Sequence, residues 1–277
     1  MKSETAYVIK MDGTREPFDE TKLKESLIHS GASEKITDDV VERVVREVRD
    51  GMTTREIYKN AFDILRREEK PVAIKYSIRH AVMELGPSGF PFERYVAGIF
   101  KAKGFETMTD QTVKGFCVQH EIDVVAWDEN KLVMVEAKFH NELGTKSDLK
   151  VVLYVKARFD DLRKMKFTYG HERELDEAWL ITNTKFSSTA IEYGSCQGGL
   201  VMVGWNYPPT GNLHDMILEA RLHPLTCLVN LSSSIKRALL LQGIVLCKTI
   251  EQNPNLLSLA GLNSLETGKI LEEIRAL

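Results

Sequence analysis

The chain has 277 residues, 43% hydrophobic and 28% charged, with a formal net charge of −3. The length is near two domains at about 150 residues each, and no global positive field draws nucleic acid, so such a partner must meet a local basic patch. The start, Met1-Lys2-Ser3-Glu4, lacks a signal-like apolar run, no stretch nears the roughly 20 apolar residues of a membrane span, and four scattered cysteines without C-x-x-C speak for free thiols in a reducing cytoplasm rather than zinc.

Tyr7-Val8-Ile9-Lys10 before Asp12-Gly13 reads as a strand entering a tight turn, with a second short strand through Glu16-Pro17-Phe18. Four helices follow. Asp19 is expected to cap the first, carrying Leu23 and Leu27, and Asp38 the second, with Val40, Val41, Val44, Val45 and Val48 on one stripe up to Gly51. Thr53-x-x-Glu56 is a capping-box pattern opening the third, with Ile57, Ala61, Ile64 and Leu65 inward. The fourth runs from about 72 to 85, repeating Ile74, Ile78, Ala81 and Leu85, and Gly86-Pro87-Ser88-Gly89 breaks the chain.

This module resembles the ATP-cone, the nucleotide-binding regulatory domain of ribonucleotide reductases and a related repressor. The residues that carry the likeness are V-I-K-M-D-G-T-R-E-P-F-D-E-T-K-L at 8–23, T-T-R-E-I-Y at 53–58 and V-A-I-K-Y-S-I-R at 72–79. The resemblance implies a site for ATP or dATP lined by Val8, Lys10, Lys22, Thr54 and Tyr58. Lysines suit triphosphate oxygens as mobile point charges. Met11 stands where the family usually has a basic residue, and Tyr58 where a histidine is common. No G-x-x-x-x-G-K-[ST] loop occurs, so a regulatory ligand is expected rather than a fuel.

From Pro91 the residues Phe92, Tyr95, Val96, Ile99 and Phe100 have helical spacing, with Gly104 as the stop. A strand-like stretch from Phe105 is broken by polar residues. Ile122 to Trp127 reads as a strand, Asp128-Glu129-Asn130 as a turn, and Lys131 to Lys138 as the hairpin partner. Strand alternation puts Glu136 and Lys138 on one face. If the loop is the pair Glu129-Asn130, Asp128 faces Lys131 and Asp123 faces Glu136, two like charges about 5 Å apart at Cβ that need a compensating cation. Lys138 supplies one charge, and a divalent metal would supply the rest.

Asp123, then Glu136-Ala137-Lys138, matches the PD-(D/E)xK nuclease pattern. The surroundings, G-F-P-F-E-R-Y-V-A-G-I-F-K-A-K-G-F-E at 89–106, H-E-I-D-V-V-A at 120–126 and V-E-A-K-F at 135–139, resemble the restriction-endonuclease-like core of the Mrr and Holliday-junction-resolvase group. The likeness implies a Mg²⁺ (or Mn²⁺) site at Asp123, Glu136 and the Ala137 carbonyl, with Lys138 assisting attack on a DNA phosphodiester. Glu93 matches the family's helix acid and reads equally as a favourable carboxylate in a first helical turn. His120 is expected at a solvated or substrate-facing position, and Glu121 at the surface.

Residues 142–173 hold eight basic side chains, among them Lys150 and Arg158, on an expected helix whose other face carries Val151, Val152, Val155, Phe159 and Leu162. The surplus suits a phosphate backbone, the stripe a core. Trp179 to Thr184 and Gly199 to Trp205 read as strands joined by a helix, hence a parallel crossover. Thr182, Asn183 and Thr184 are expected either to contact DNA or to cap that helix. Asn206-Tyr207-Pro208-Pro209-Thr210-Gly211 breaks the chain, and two later segments, at 235–244 and 256–262, each end in a glycine followed by an aliphatic residue. They resemble helix-hairpin-helix turns, which implies contact with DNA or protein.

The expected fold is α/β: a mainly helical ATP-cone with a small hairpin (1–86), a restriction-endonuclease-like mixed sheet flanked by helices (89–210), and a short helical region (211–277). The expected function is a nucleotide-regulated, metal-dependent DNA endonuclease, homo-oligomeric by both resemblances and suited to restriction or defence. A branched-DNA resolvase is a variant with the same chemistry. The alternative is a non-catalytic nucleotide sensor that binds DNA.

Overall fold

The computed structural model describes residues 6–9, 13–142 and 144–277. Strand β1 (Tyr7–Ile9) pairs antiparallel with β2 (Arg15–Pro17). Helix α1 (Glu20–His29) begins on Asp19, whose carboxylate accepts from the Thr21 N–H at 3.0 Å. Helix α2 (Glu34–Glu47) begins earlier than expected. Ser33, not Asp38, caps it, accepting from the Ile36 N–H at 3.4 Å, while Asp38 lies inside the helix and pairs with Lys24 at 2.7 Å. The earlier start puts Thr37, Val40, Val41 and Val44 on one buried face, whereas Val45 stays exposed. A short strand β3 (Met52–Thr53), unforeseen, pairs parallel with β1 and sets Val8 opposite Met52. The capping box of α3 (Thr54–Glu68) is formed in both directions, Thr53 Oγ1 accepting from the Glu56 N–H and Glu56 from the Thr53 N–H. Helix α4 (Lys70–Met83) completes the module.

The middle of the chain is a five-stranded mixed sheet. Helix α5 (Phe90–Ala102) leads into β4 (Glu106–Lys114), β5 (Gln119–Trp127) and β6 (Leu132–Lys138), an antiparallel meander. The polar residues read as interrupting the first strand lie within β4, where exposed positions alternate with half-buried Thr107, Thr109 and Gln111. After β7 (Lys146–Ser147) and α6 (Leu149–Leu162) comes a hairpin, β8 (Lys166–Tyr169) with β9 (His171–Glu174), so the basic stretch to Arg173 is only partly helical. Strand β10 (Glu177–Thr182), β11 (Lys185–Phe186), α7 (Ser188–Cys196) and β12 (Leu200–Val203) follow, and the sheet order is β12-β10-β6-β5-β4 with β6, β10 and β12 parallel. One face packs on α5, the other on α6 and α7.

The C-terminal region holds α8 (Leu213–Glu219), α9 (Ser233–Leu241), α10 (Cys247–Gln252), α11 (Asn255–Leu259) and α12 (Ser264–Arg275). The two glycine-ended segments close alike: Gly243 and Gly261 have φ of +79° and +91°, and the N–H groups of Ile244 and Leu262 return to the carbonyls of Leu239 and Leu257 at 3.0 Å. Glycine takes this left-handed cap without a Cβ penalty.

Helix α4 serves three cores at once. Val72 and Ala73 pack in the N-terminal cluster, Ile78 and Val82 in the core between the sheet and α5, and Ala81 against the C-terminal helices. Truncating the fully buried Ile78 to alanine is expected to cost about 2–5 kcal/mol, read as a lowered urea midpoint of the whole chain.

Candidate active site

The hairpin register decides where the charges meet. The Asp128 N–H donates to the Lys131 carbonyl at 3.0 Å, and the Asp128 carboxylate accepts from the N–H groups of Asn130 and Lys131, each at 2.7 Å. Arg173, on β9, adds bonds to the carbonyls of Asp128 at 2.7 Å and Lys131 at 2.9 Å. The loop therefore holds two residues, and pairing runs from Trp127 opposite Leu132 to Val124 opposite Val135. Counting one step beyond the last pair sets Asp123 at the level of Glu136, the register read from the sequence.

Regular pairing stops there. The Asp123 carboxylate, rather than its backbone, bridges to β6 by accepting from the Ala137 N–H at 2.7 Å. A strand residue's N–H and C=O face the same neighbour, so the Ala137 carbonyl is also on the Asp123 side. On the other flank, Thr109 pairs with Val124 and Gln111 with Ile122, while Asp110 between them takes φ +54°. Side-chain alternation breaks at this level: Val124 and Ala126 join the α5-side core, but both Ile122 and Val125 join the α6-side core.

Four carboxylates gather around the break. Burial pushes Asp123 up to about 6, aided by Glu136 and Asp110 and opposed by the Ala137 N–H and Arg158. Burial also pushes Glu93 up to about 7, with Asp123, Asp110 and Glu136 adding repulsion. Glu93, in the first turn of α5, thus lies within electrostatic reach of the other three acids. Asp110 was not found from sequence. It stands between the Thr109–Val124 and Gln111–Ile122 pairs, at the level of Asp123.

Cations answer unevenly. Lys138 is exposed and makes no hydrogen bond or ion pair among the described residues. Arg158 does not face a DNA backbone as expected from its place in a basic run. Its side chain is 10% exposed and forms a short ion pair with Glu136. Position 158 flanks the apolar stripe of Val155, Phe159 and Leu162, so the helix carries it inward. Lys150 is exposed as expected. His120 is not substrate-facing either: its Nε2 lies 2.8 Å from Asp161, whose carboxylate also accepts from the Cys117 N–H, tying the β4–β5 turn to α6. Glu121 is exposed.

The segment after Lys138 is held by a residue from the next strand. Asn183 Oδ1 accepts from the His140 N–H and its Nδ2 donates to the His140 carbonyl, both at 2.8 Å, which prolongs the β6–β10 pairing by a side chain. The same Nδ2 lies 3.0 Å from Met83 Sδ at the end of α4. Thr182, Asn183 and Thr184 are fully buried, so they neither contact DNA nor cap α7, which Ser187 caps.

The donor set suits a hard divalent cation, since carboxylate oxygens and a backbone carbonyl are what such an ion takes. Like charge at Asp123, Glu136, Glu93 and Asp110 is met among these side chains by the Arg158 guanidinium on Glu136. Among the described residues no three acidic, histidine or cysteine groups already stand close enough to share one ion.

In the N-terminal module, Val8 is buried and Thr54 opens α3 beside it through the β1–β3 pairing. Lys22 is exposed and lies 3.5 Å from Glu16 and 4.0 Å from Asp19. Lys10 lies outside the described residues. Tyr58 stacks on Tyr76 at 5.1 Å and on His80 of α4 at 3.8 Å, so a histidine ring adjoins the tyrosine that replaces one. Burial, with Tyr76 and Glu84 nearby, holds the Tyr58 phenol well above its ordinary range. Tyr58, Phe62 and His80 line a cleft of about 430 Å³ whose far wall is Thr226, Leu228 and Lys236.

Comparison with known proteins places these units. Residues 6–81 match the ATP cone domain, 86–204 the Mrr-type restriction endonuclease domain, and 223–277 the AF1548-like C-terminal domain. An uncharacterized protein of Archaeoglobus fulgidus is 36% identical over 155 residues, 56% of this chain and 83% of that one. The crystal structure of AF1548, a protein of unknown function, superposes with TM-score 0.55 and 30% identity over 68% of this chain and 97% of that one. The chain belongs to the AF1548-like family. The MspJI restriction endonuclease in complex with a 27-mer oligonucleotide aligns with TM-score 0.33 and 15% identity over 74% of this chain and 40% of that one, too loosely to bear on this AF1548-like chain. No helix among the described residues is long and apolar enough to cross a membrane.

Because the folded state favours neutral Asp123, stability present below about pH 4 is lost as pH rises through about 6. Without metal, Asp123→Asn is expected to match wild type at pH 4 and exceed it at pH 8 by on the order of 1–3 kcal/mol. Thermal melts in EDTA at the two pH values check this; an equal offset at both contradicts it.

Proposed function

We propose that this AF1548-like chain is a Mg²⁺- or Mn²⁺-dependent endodeoxyribonuclease whose activity is set by ATP or dATP in its ATP-cone. The observation that carries the reading is the hairpin register, which sets Asp123 opposite Glu136 with Lys138 on the Glu136 face and Glu93 drawn in from α5. Asp123, Glu136 and the Ala137 carbonyl would hold the metal, which when bound acidifies a water and offsets charge on the phosphate. Lys138, exposed and unengaged among the described residues, orients the attacking water or neutralises the phosphate as the nonbridging oxygens gain charge. Glu93, with a carboxyl near neutrality, is poised to exchange a proton with that water. Lys150, on the exposed side of α6, contacts the DNA backbone.

The nucleotide half of the reading rests on Val8, Lys10, Lys22, Thr54 and Tyr58 as the purine triphosphate site. A sensor joined to a nuclease suits restriction or defence against foreign DNA, with the chain acting as a homo-oligomer. Nicking of supercoiled plasmid is the test, run with Mg²⁺ or Mn²⁺ across a titration of ATP and dATP. Asp123→Ala and Lys138→Ala are each expected to lower nicking by roughly a thousandfold or more, about 4 kcal/mol of barrier, with DNA binding retained. No cleavage of supercoiled, linear, branched or single-stranded DNA under any of these conditions would instead support a nucleotide-sensing DNA-binding regulator.

A further inference from the structure

The side chain that neutralises Glu136 has an unusual set of contacts. Arg158 Nη1 bonds both Glu136 Oε2 and, at 3.0 Å, the Glu121 carbonyl. Nη2 donates to Tyr154 Oη at 2.9 Å, and the guanidinium lies 4.8 Å over the Tyr154 ring. Its Nε is buried and has no hydrogen-bond partner among the described residues, as is also true of Arg79 and Arg173. A buried donor without an acceptor is costly, by an amount comparable to a hydrogen bond, and it leaves one edge of the fork unspent. Tyr154, meanwhile, is 61% exposed, so the guanidinium is anchored at one end to the acids and at the other to a solvent-facing ring.

We propose that Arg158 is a displaceable latch on the candidate metal site: a divalent cation and the guanidinium compete for Glu136, and the guanidinium released by the cation takes a phosphate oxygen of the DNA. The inference rests on the metal-dependent nuclease reading above. Two cations cannot both sit against one carboxylate without strong mutual repulsion, so a metal that takes Glu136 weakens the ion pair. The planar fork then matches a phosphate, with Nε gaining the acceptor it lacks. Tyr154 gives the displaced group a resting place by cation–π contact on the side open to solvent. A purely structural ion pair would use the Glu136 contact alike. It does not account for the second anchor at the surface, the exposed Tyr154 ring.

The test reads metal binding without cleavage. Full-length wild type, Arg158→Met, Arg158→Lys and Tyr154→Phe are titrated with Ca²⁺ in the absence of DNA, by calorimetry and by the Ca²⁺-induced rise in melting temperature. Removing a competitor strengthens the ion's hold, so Arg158→Met is expected to bind Ca²⁺ about tenfold more tightly, and to melt lower than wild type in EDTA. Arg158→Lys keeps the charge and stays near wild type. Tyr154→Phe loosens one anchor and shifts affinity the same way by about two- to threefold, which keeps the test decisive if Arg158→Met fails to fold. In Ca²⁺, Arg158→Met is also expected to bind DNA less tightly, with a salt dependence shallower by about one ion. Ca²⁺ affinity equal to wild type in both Arg158→Met and Tyr154→Phe, or weaker in either, overturns the latch while leaving the metal site standing. A wild type that shows no Ca²⁺ response, or one that Asp123→Asn leaves unchanged, overturns the metal reading itself and the latch with it.

Discussion

Everything at the candidate site depends on a two-residue turn. Side chains on a strand alternate with period two, so a hairpin one residue longer would send Asp123 to the opposite face from Glu136 and Lys138. Asp128 prevents this by accepting two backbone N–H groups at 2.7 Å, and Arg173 binds the same turn from outside through three carbonyls. Because both clamps are polar, one within the turn and one from the distant His171–Glu174 strand, the register does not rely on the core alone. That independence matters, since the residues it brings together repel one another and would otherwise favour a slip.

The repulsion is visible in how the sheet gives way. At the level of Asp123, backbone pairing lapses toward β6, and on β4 Asp110 turns to a left-handed conformation. The carboxylate of Asp123 recovers one hydrogen bond from Ala137, and Arg158 covers Glu136. Burial raises the acids Asp123 and Glu93, and repulsion from neighbouring carboxylates adds to it. Left-handed backbone and like charge are thus concentrated in a few residues on an otherwise regular sheet.

Legibility followed the range of the interactions. The hairpin could be read because its turn residues and its alternation are contiguous, and the ATP-cone helices because capping and periodicity are local. The start of α2 was misplaced because Ser33 and Asp38 are both good caps, and only packing of Thr37 against the core separates them. Asp110 escaped notice because the β4–β5 connection has no unambiguous loop length. Arg158 was read as a surface charge because helical spacing assigns a face but not what the sheet offers that face. The bond from Asn183 to His140 spans two strands distant in sequence, and no pattern within either strand announces it.

Helix α4 places the seams of this protein somewhere unexpected. A cut between the matched segments, after 81 and before 86, would leave Ile78 with the cone and Val82 with the sheet, although both fill the same core. Loss of the cone at that joint would strip Ile78 from the core of the sheet, and loss of the sheet would leave Ile78 uncovered. A cut ahead of Lys70 does no better, because it takes Val72 and Ala73 from the N-terminal cluster, so the cone and the sheet are more like two rooms sharing a wall than like beads on a string.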